Sequence, residues 1–260
     1  MTKRLKYDET HWSRLADVEK GLDQYLKLGD LPFNKTKFRM FLRLAGDVRG
    51  KRVLDYGGGA GIMSVPLAKA GAETTLVDAE ANALRTARFY AERERVTESV
   101  KTVHSERFPE TLRDERYDLV IAKDIIEHID RDQEFLSDLA GCQERGGRLL
   151  LSTQNDLSLN YLLEGSYQKY WCKNDNWRGW DQTHLRFYNY KTLTEKLEAA
   201  GYRPMKWAGV FIIPYSILSW VFLLKVQINL PSLSFFDLAF GSMFPFNRFG
   251  WNIIVSAEKR

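Results

Sequence analysis

At 260 residues, 44% of them hydrophobic, the chain is long enough for one generous domain with an insertion and can bury a core without disulfide staples. Its formal charge of +4, from 38 basic against 34 acidic residues, is too mild to argue for a nucleic-acid partner. Two cysteines, Cys142 and Cys172, make no disulfide framework, fit a reducing compartment and exclude the three-cysteine ligation of a radical iron–sulfur enzyme. The opening residues, Met1 to Asp8, are basic but carry no apolar run, so no signal peptide and a cytoplasmic location are expected.

Residues 1–50 read as a helical cap. Trp12, Leu15, Val18, Leu22, Tyr25 and Leu26 recur at helical spacing, as do Phe38, Phe41, Leu42, Leu44 and Ala45, with Gly29-Asp30-Leu31-Pro32 as the break. Over 51–155 short apolar strands alternate with helices. The strands are Arg52–Asp55, Thr74–Asp78, Val100–Val103, Tyr117–Ala122 and Arg148–Thr153; the helices between them include Met63–Ala70, Ala81 to about Arg93 and Arg131 to about Cys142. Residues 156–190 form an aromatic insertion with Tyr161, Tyr167, Tyr170, Trp171, Trp177 and Trp180. In 191–260 a helix over Thr192–Ala200 stops at Gly201, and Tyr202–Val210 and Trp251–Ala257 supply two more strands. The alternation predicts an α/β fold: a doubly wound sheet of about seven strands, mostly parallel, with an antiparallel last strand. An apolar insertion at about 211–247 precedes that strand.

The stretch Val53-Leu54-Asp55-Tyr56-Gly57-Gly58-Gly59-Ala60-Gly61 is a strand running into a small-residue turn, and a helix follows it. Such a turn lets backbone amides approach a nucleotide closely. No Gly-Lys-Ser/Thr follows, which excludes a P-loop, and Ile62 stands where a dinucleotide fingerprint has its third glycine. An acid, Asp78, ends the second strand about twenty residues on, placed to accept from both hydroxyls of a ribose.

This set, Asp55-x-Gly57-x-Gly59-x-Gly61 with Asp78, resembles the glycine motif and following acidic motif of the class I S-adenosylmethionine (SAM)-dependent methyltransferases, which have a Rossmann-like fold. The resemblance runs over about residues 35–155. It implies that Asp55, Gly57, Gly59 and Gly61 shape the cofactor pocket and that Asp78 holds the ribose. It further implies cofactor contacts at Ala79 and Lys123 and at Glu106, after strand three near the adenine, while Lys37 or Arg39 reaches the cofactor carboxylate. The segments Asp124-Ile125-Ile126-Glu127-His128-Ile129, Ser152-Thr153-Gln154-Asn155 and Thr183-His184-Leu185-Arg186-Phe187 look like those of the ubiquinone-biosynthesis O-methyltransferases, although Lys123 and Asp124 depart from that pattern. No Asn/Asp-Pro-Pro-aromatic motif follows strand four, so a base-flipping nucleic-acid enzyme is unsupported.

Methyl transfer to a hydroxyl needs alignment, water exclusion and a proton acceptor. Of four histidines, His128 and His184 fall at the carboxyl edge of the predicted sheet and are the candidate general bases. Packing and helix-start hydrogen bonding is the plainer role for Glu127-His128. No metal is expected; the alternative is a divalent ion on Asp124, Glu127 and His128, which share one face if 124–128 is helical, with His184 as an optional fourth ligand. Tyr167, Trp171, Trp177 and Trp180 are candidate acceptor-lining residues, with plain packing as the alternative. From Trp207 to Asn247 only Lys225 and Asp237 are charged, and Val210–Leu224 is nearly long enough to cross a bilayer. A single crossing conflicts with the return of the last strand to the sheet. The stretch is therefore expected to meet the inner membrane face, cover the acceptor or join a homodimer. The resulting expectation is a SAM-dependent methyltransferase of a small, apolar or lipid-linked acceptor, most simply at oxygen. Transfer to nitrogen or carbon, and a SAM-binding homologue without turnover, are its rivals.

Overall fold

The computed structural model describes residues 11–177, 179, 181, 183–213, 216–217, 228–229 and 233–260. Its strands are β1 (Arg52–Tyr56), β2 (Glu73–Asp78), β3 (Val100–His104), β4 (Leu119–Lys123), β5 (Arg148–Gln154), β6 (Tyr202–Val210), the short pair β7 (Ser216–Ile217) and β8 (Ile228–Asn229), and β9 (Asn252–Lys259). The helices are α1 (Val18–Asp30), α2 (Pro32–Ala45), α3 (Ser64–Lys69), α4 (Ala81–Arg93), α5 (Asp132–Gly141), α6 (Leu159–Ser166), α7 (Tyr190–Ala199) and α8 (Ser234–Phe240). Seven strands form one sheet in the order β3-β2-β1-β4-β5-β9-β6. Every neighbouring pair from β3 to β5 is parallel, and β9 runs antiparallel to both β5 and β6. The expected doubly wound sheet with its antiparallel last strand is present.

Side chains along the central strands alternate between two apolar layers, as a sheet covered on both faces requires. Leu54, Val120, Ala122, Leu149 and Leu151 pack with α5 and α7 through Leu136, Leu139, Leu193 and Leu197. Val53, Leu119, Ile121 and Leu150 pack on the other face with Met40 and Phe41 of α2. Strand order reverses between β1 and β4, and in open α/β sheets the crevice at that reversal is where ligands bind.

Local chemistry sets the element ends. Asp17 caps α1 by accepting from the Lys20 amide at 3.0 Å, Pro32 starts α2, and Asn189 with Thr192 forms a capping box on α7. Strand four begins at Leu119, two residues later than predicted, because the Tyr117 amide is taken by the Cys142 carbonyl at 2.9 Å. The helix predicted at Met63–Ala70 is shorter, since the turn continues through Met63. The aromatic insertion contains α6 and a π-helical turn over Tyr167–Trp171.

The apolar insertion is folded against the body where it is described. Asp237, one of its two charged residues, is fully buried and accepts from the Phe211 amide (2.7 Å) and the Ile212 amide (3.1 Å) at the end of β6. Arg43 of α2 donates to the Leu238 carbonyl of α8 at 3.1 Å. Lys225 lies outside the described residues, as does most of Val210–Leu224. Among the described residues no helix is long and apolar enough to cross a membrane.

Candidate active site

The glycine turn leaves β1 at the strand-order reversal and is closed from several sides. The amides of Gly57 and Gly58 donate to the Val77 carbonyl (2.8 and 3.3 Å), and the Gly59 amide donates to Asp78 Oδ2 at 2.9 Å. Asp78 Oδ1 accepts from the Glu80 amide, also at 2.9 Å. Burial raises the pKa of this carboxyl despite those donors. Asp55 sits beneath the turn, 1% exposed, and takes the Ser64 hydroxyl proton in a 2.6 Å hydrogen bond. Its desolvation, only partly offset by that bond, pushes its pKa up to about 6. A Cβ on Gly58 would lie 2.6 Å from Asp55 Oδ2 and 2.8 Å from Leu76 Cγ, so only glycine fits there. Gly59 has φ of +58°, and a Cβ on it would lie 3.2 Å from the Tyr25 hydroxyl and 3.7 Å from the Trp12 ring. Those two rings, 4.5 Å apart, roof the turn. The periodicity of the first helix marks Tyr25 and Trp12 as apolar packing and gives no sign of this role.

At the end of β4 the chain turns sharply at Asp124, whose φ is +53°. Asp124 Oδ1 accepts from Ser152 Oγ of β5 (2.8 Å) and Asn252 Nδ2 of β9 (2.9 Å). Asp124 Oδ2 pairs with the buried Lys37 ammonium of α2 and lies 3.3 Å from Lys123 Nζ. Burial alone would raise the pKa of Asp124; the two lysines reverse this and hold the carboxyl well below its usual range. Burial lowers the pKa of Lys37, and Asp124 works against that. Lys37, predicted to meet a cofactor carboxylate, thus has its charge engaged by Asp124, while Arg39 is exposed. The helical face expected for Asp124, Glu127 and His128 is a correction. Position 124 has left-handed backbone, and only a single 3₁₀ turn, Ile126–His128, follows.

That turn instead brings Glu127 and His128 to His184. The Leu185 amide donates to the Glu127 carbonyl (2.8 Å), and Arg186 pairs with Asp132 (2.7 Å) and donates to the Asp130 carbonyl (2.9 Å). These bonds fasten the end of the insertion over the edge of β4 and β5. The imidazoles of His128 and His184 then meet edge to face, centroids 4.8 Å apart. His184 is 8% exposed, and its burial lowers its pKa although Asp181 opposes the change. Glu127 is 1% exposed. Its Oε2 accepts from Thr153 Oγ1 at 2.9 Å, and burial, with Asp124 adding, pushes its pKa up to about 8. Among the described residues Glu127 Oε1 and His184 Nδ1 are buried without hydrogen-bond partners. Unmet polar atoms at a sheet's carboxyl edge are a ligand's opportunity.

Glu127, His128 and His184 can each offer one atom within 4.8 Å of the others. An ion with bonds of about 2.0–2.3 Å holds its ligands no more than about 4.6 Å apart. At up to 4.8 Å the trio is slightly wider than one ion gathers and would have to close to hold it.

The remaining predicted residues divide. Ala79 lends its carbonyl to His104 Nε2 at 2.9 Å, and Glu106 is exposed on the loop after β3. Trp177 stacks near Tyr161 (5.2 Å), Tyr161 near Phe187 (4.8 Å) and Phe187 near His184 (5.6 Å), a file of rings ending at the histidines. Tyr167 is half-buried and Trp171 is 80% exposed. Trp180 lies outside the described residues. Ser64 and Asn252, which carry no motif of their own, hold the site's carboxylates together with Ser152 of the Ser152–Asn155 segment.

A family model described as a methyltransferase domain matches residues 33–206. Ubiquinone biosynthesis O-methyltransferases are similar in sequence: that of Rickettsia felis is 33% identical over 45% of this chain and 47% of its own. That of Aeromonas salmonicida is 30% identical over 66% of this chain and 71% of its own. The chain spans about half the length of the first of these relatives. Among solved structures, a magnesium protoporphyrin IX methyltransferase from Synechocystis with bound SAH superposes with a TM-score of 0.60 at 17% identity, covering 92% of this chain and 94% of that one. A [4+2]-cyclase superposes almost as well, at 0.58 and 16% identity over 89% and 84%, so this fold alone does not fix the chemistry. The match across residues 33–206, on a glycine turn and acid set at a strand-order reversal, makes the chain a member of the SAM-dependent methyltransferases.

Proposed function

We propose that this protein transfers a methyl group from SAM to a hydroxyl of a small, apolar or lipid-linked acceptor, with a histidine of the His128–His184 pair receiving the hydroxyl proton. The observation that carries the reading is that pair of imidazoles at the carboxyl edge, beside the unpartnered Glu127 Oε1 and His184 Nδ1. The residues of the turn fit the cofactor: the Asp78 carboxylate offers lone pairs to ribose hydroxyls, and Gly58, where no Cβ fits against Asp55 and Leu76, keeps the turn tight beside it. Bound there, SAM supplies an electrophilic methyl on a sulfonium, and its S–CH₃ bond breaks as the acceptor O–CH₃ bond forms. The protein's share is to align the acceptor, exclude water and take the proton, so that the positive charge ends on an imidazolium. Burial keeps His184 neutral near pH 7, as a base must be. Oxygen as the acceptor atom also agrees with the name of the curated relatives.

Replacing His128 and His184 singly by alanine and measuring single-turnover transfer tests the base. A loss of about tenfold or more in at least one variant is expected; full activity in both overturns it. Transfer to nitrogen or carbon would show in the product's methylated atom. SAM binding without any product would favour a binding-only homologue.

Support for an apolar acceptor comes from the insertion before β9, where Phe235 (67%), Met243 (54%) and Phe244 (72%) are exposed. The reading places this surface at the inner membrane face. Co-sedimentation with anionic liposomes, lost when Phe235 and Phe244 become serine, is the expected result. A protein indifferent to liposomes removes the membrane from the account.

A further inference from the structure

Which histidine is the base, and through which nitrogen, follows from one threonine. Thr183 Oγ1 lies 2.6 Å from Asp181 Oδ1 and 3.3 Å from His128 Nδ1. A threonine hydroxyl has one proton and two lone pairs, and an ionised carboxylate only accepts. Asp181 also takes the Thr183 amide at 2.8 Å, and these two donors outweigh burial and keep its carboxyl below the usual range. A 2.6 Å separation is that of a charge-assisted O–H···O⁻ bond, so the hydroxyl proton lies toward Asp181. Toward His128 the same oxygen can only accept. Nδ1 must therefore carry the ring proton, which leaves the lone pair on Nε2.

The geometry assigns Asp181 and Thr183 as positioning residues that lock His128 in its Nδ1–H tautomer and make Nε2 the basic nitrogen. His184 has no such tether. Its Nε2 is 3.6 Å from Asp181 Oδ2, beyond hydrogen-bond reach, and its Nδ1 is unpartnered among the described residues. When Nε2 takes the acceptor proton, the new positive charge on His128 is balanced through Thr183 by Asp181. The other titratable groups beside it are Glu127 and His184, and Asp124 acts on His184. This assignment rests on the general-base reading above, but it concerns a bond in the protein that exists whether or not transfer occurs.

The test is a long-range ¹H–¹⁵N correlation spectrum of protein labelled at histidine nitrogens, recorded at alkaline pH with the rings neutral. The His128 signals are identified by their loss in His128→Asn. The expected pattern is a protonated Nδ1 and a bare Nε2 at His128, lost in Thr183→Val and kept in Thr183→Ser. With an acceptor in hand, Thr183→Val should lower kcat several-fold with little change in KM, and Thr183→Ser should restore it. A wild-type ring protonated on Nε2, or an unchanged pattern in Thr183→Val, overturns the assignment. The two ideas fail separately: the expected tautomer with full activity in His128→Ala sinks the base alone, whereas the wrong tautomer with an inactive His128→Ala sinks only the tether.

Discussion

The two halves of the site are built differently. On the cofactor side the partners are close in sequence: Ser64 reaches Asp55 across 9 residues and Gly59 reaches Asp78 across 19. At the edge of β4 and β5 they are remote: Thr183 meets His128 across 55 residues, Lys37 meets Asp124 across 87, and Asn252 meets Asp124 across 128. A strand, a turn and the next strand bring the first set together almost by themselves. The second set exists only once α2, β4, β5, β9 and the insertion have all docked. The comparison teaches that the glycine turn is a local motif and the edge of β4 and β5 a product of the whole fold.

The difference can be broken or sharpened experimentally. The largest loss belongs to the edge of β4 and β5. Lys37→Met removes the main partner of Asp124, which is partly exposed and keeps Lys123 at 3.3 Å, and a loss of about 3 kcal/mol, the low end for a buried pair, is expected in urea unfolding. Lys37→Met with Asp124→Asn should recover part of it. The sign with pH is fixed by the lowered pKa of Asp124: its contribution is present above the ordinary carboxylate value and lost as pH falls below that value toward the lowered folded pKa. Lys37→Met should therefore be least harmful in acid.

Glu127 behaves in the opposite sense. Its pKa is raised to about 8, so its contribution is complete below the unfolded value of 4.5 and lost as pH rises toward 8. Glu127→Gln should gain on the wild type between pH 5 and pH 8 by on the order of 2–4 kcal/mol, read from unfolding at both ends. A difference constant with pH would show that Glu127 is ionised throughout.

On the cofactor side Gly58→Ala forces the new Cβ against Asp55 and Leu76, and about 1–3 kcal/mol of strain should appear in stability and SAM affinity together. Trp171→Ser, at an 80% exposed site, should change stability by less than about 0.5 kcal/mol. Exhaustive chelation should change transfer least of all; lost activity restored by a divalent cation would reopen the metal question at Glu127, His128 and His184.

The same contrast explains what the sequence made legible. Apolar alternation located every strand of the sheet, and the spacing from Gly57 to Asp78 located the cofactor turn, because both signals are short-range. His128 and His184 were also within reach, as each follows a strand whose carboxyl end is the ligand-binding edge. The partners were not. Lys37 was matched to a cofactor carboxylate only by its place before the turn, whereas α2 docks it on Asp124, and helical spacing grouped Asp124 with His128 although its left-handed backbone separates them. Tyr25 read as part of a helix stripe, yet its hydroxyl lies over Gly59. Asp237 looked like an isolated charge in an apolar run and proved to be the anchor of β6's end.

The measurement that most directly tests the central claim is mass-spectrometric profiling of products. The purified protein and its His128→Ala variant would each be given SAM with a lipid and small-molecule extract. The account predicts a product one methyl heavier at a hydroxyl, formed by the wild type and reduced about tenfold or more in the variant. SAM binding with no methylated product, or equal product from both proteins, would contradict it.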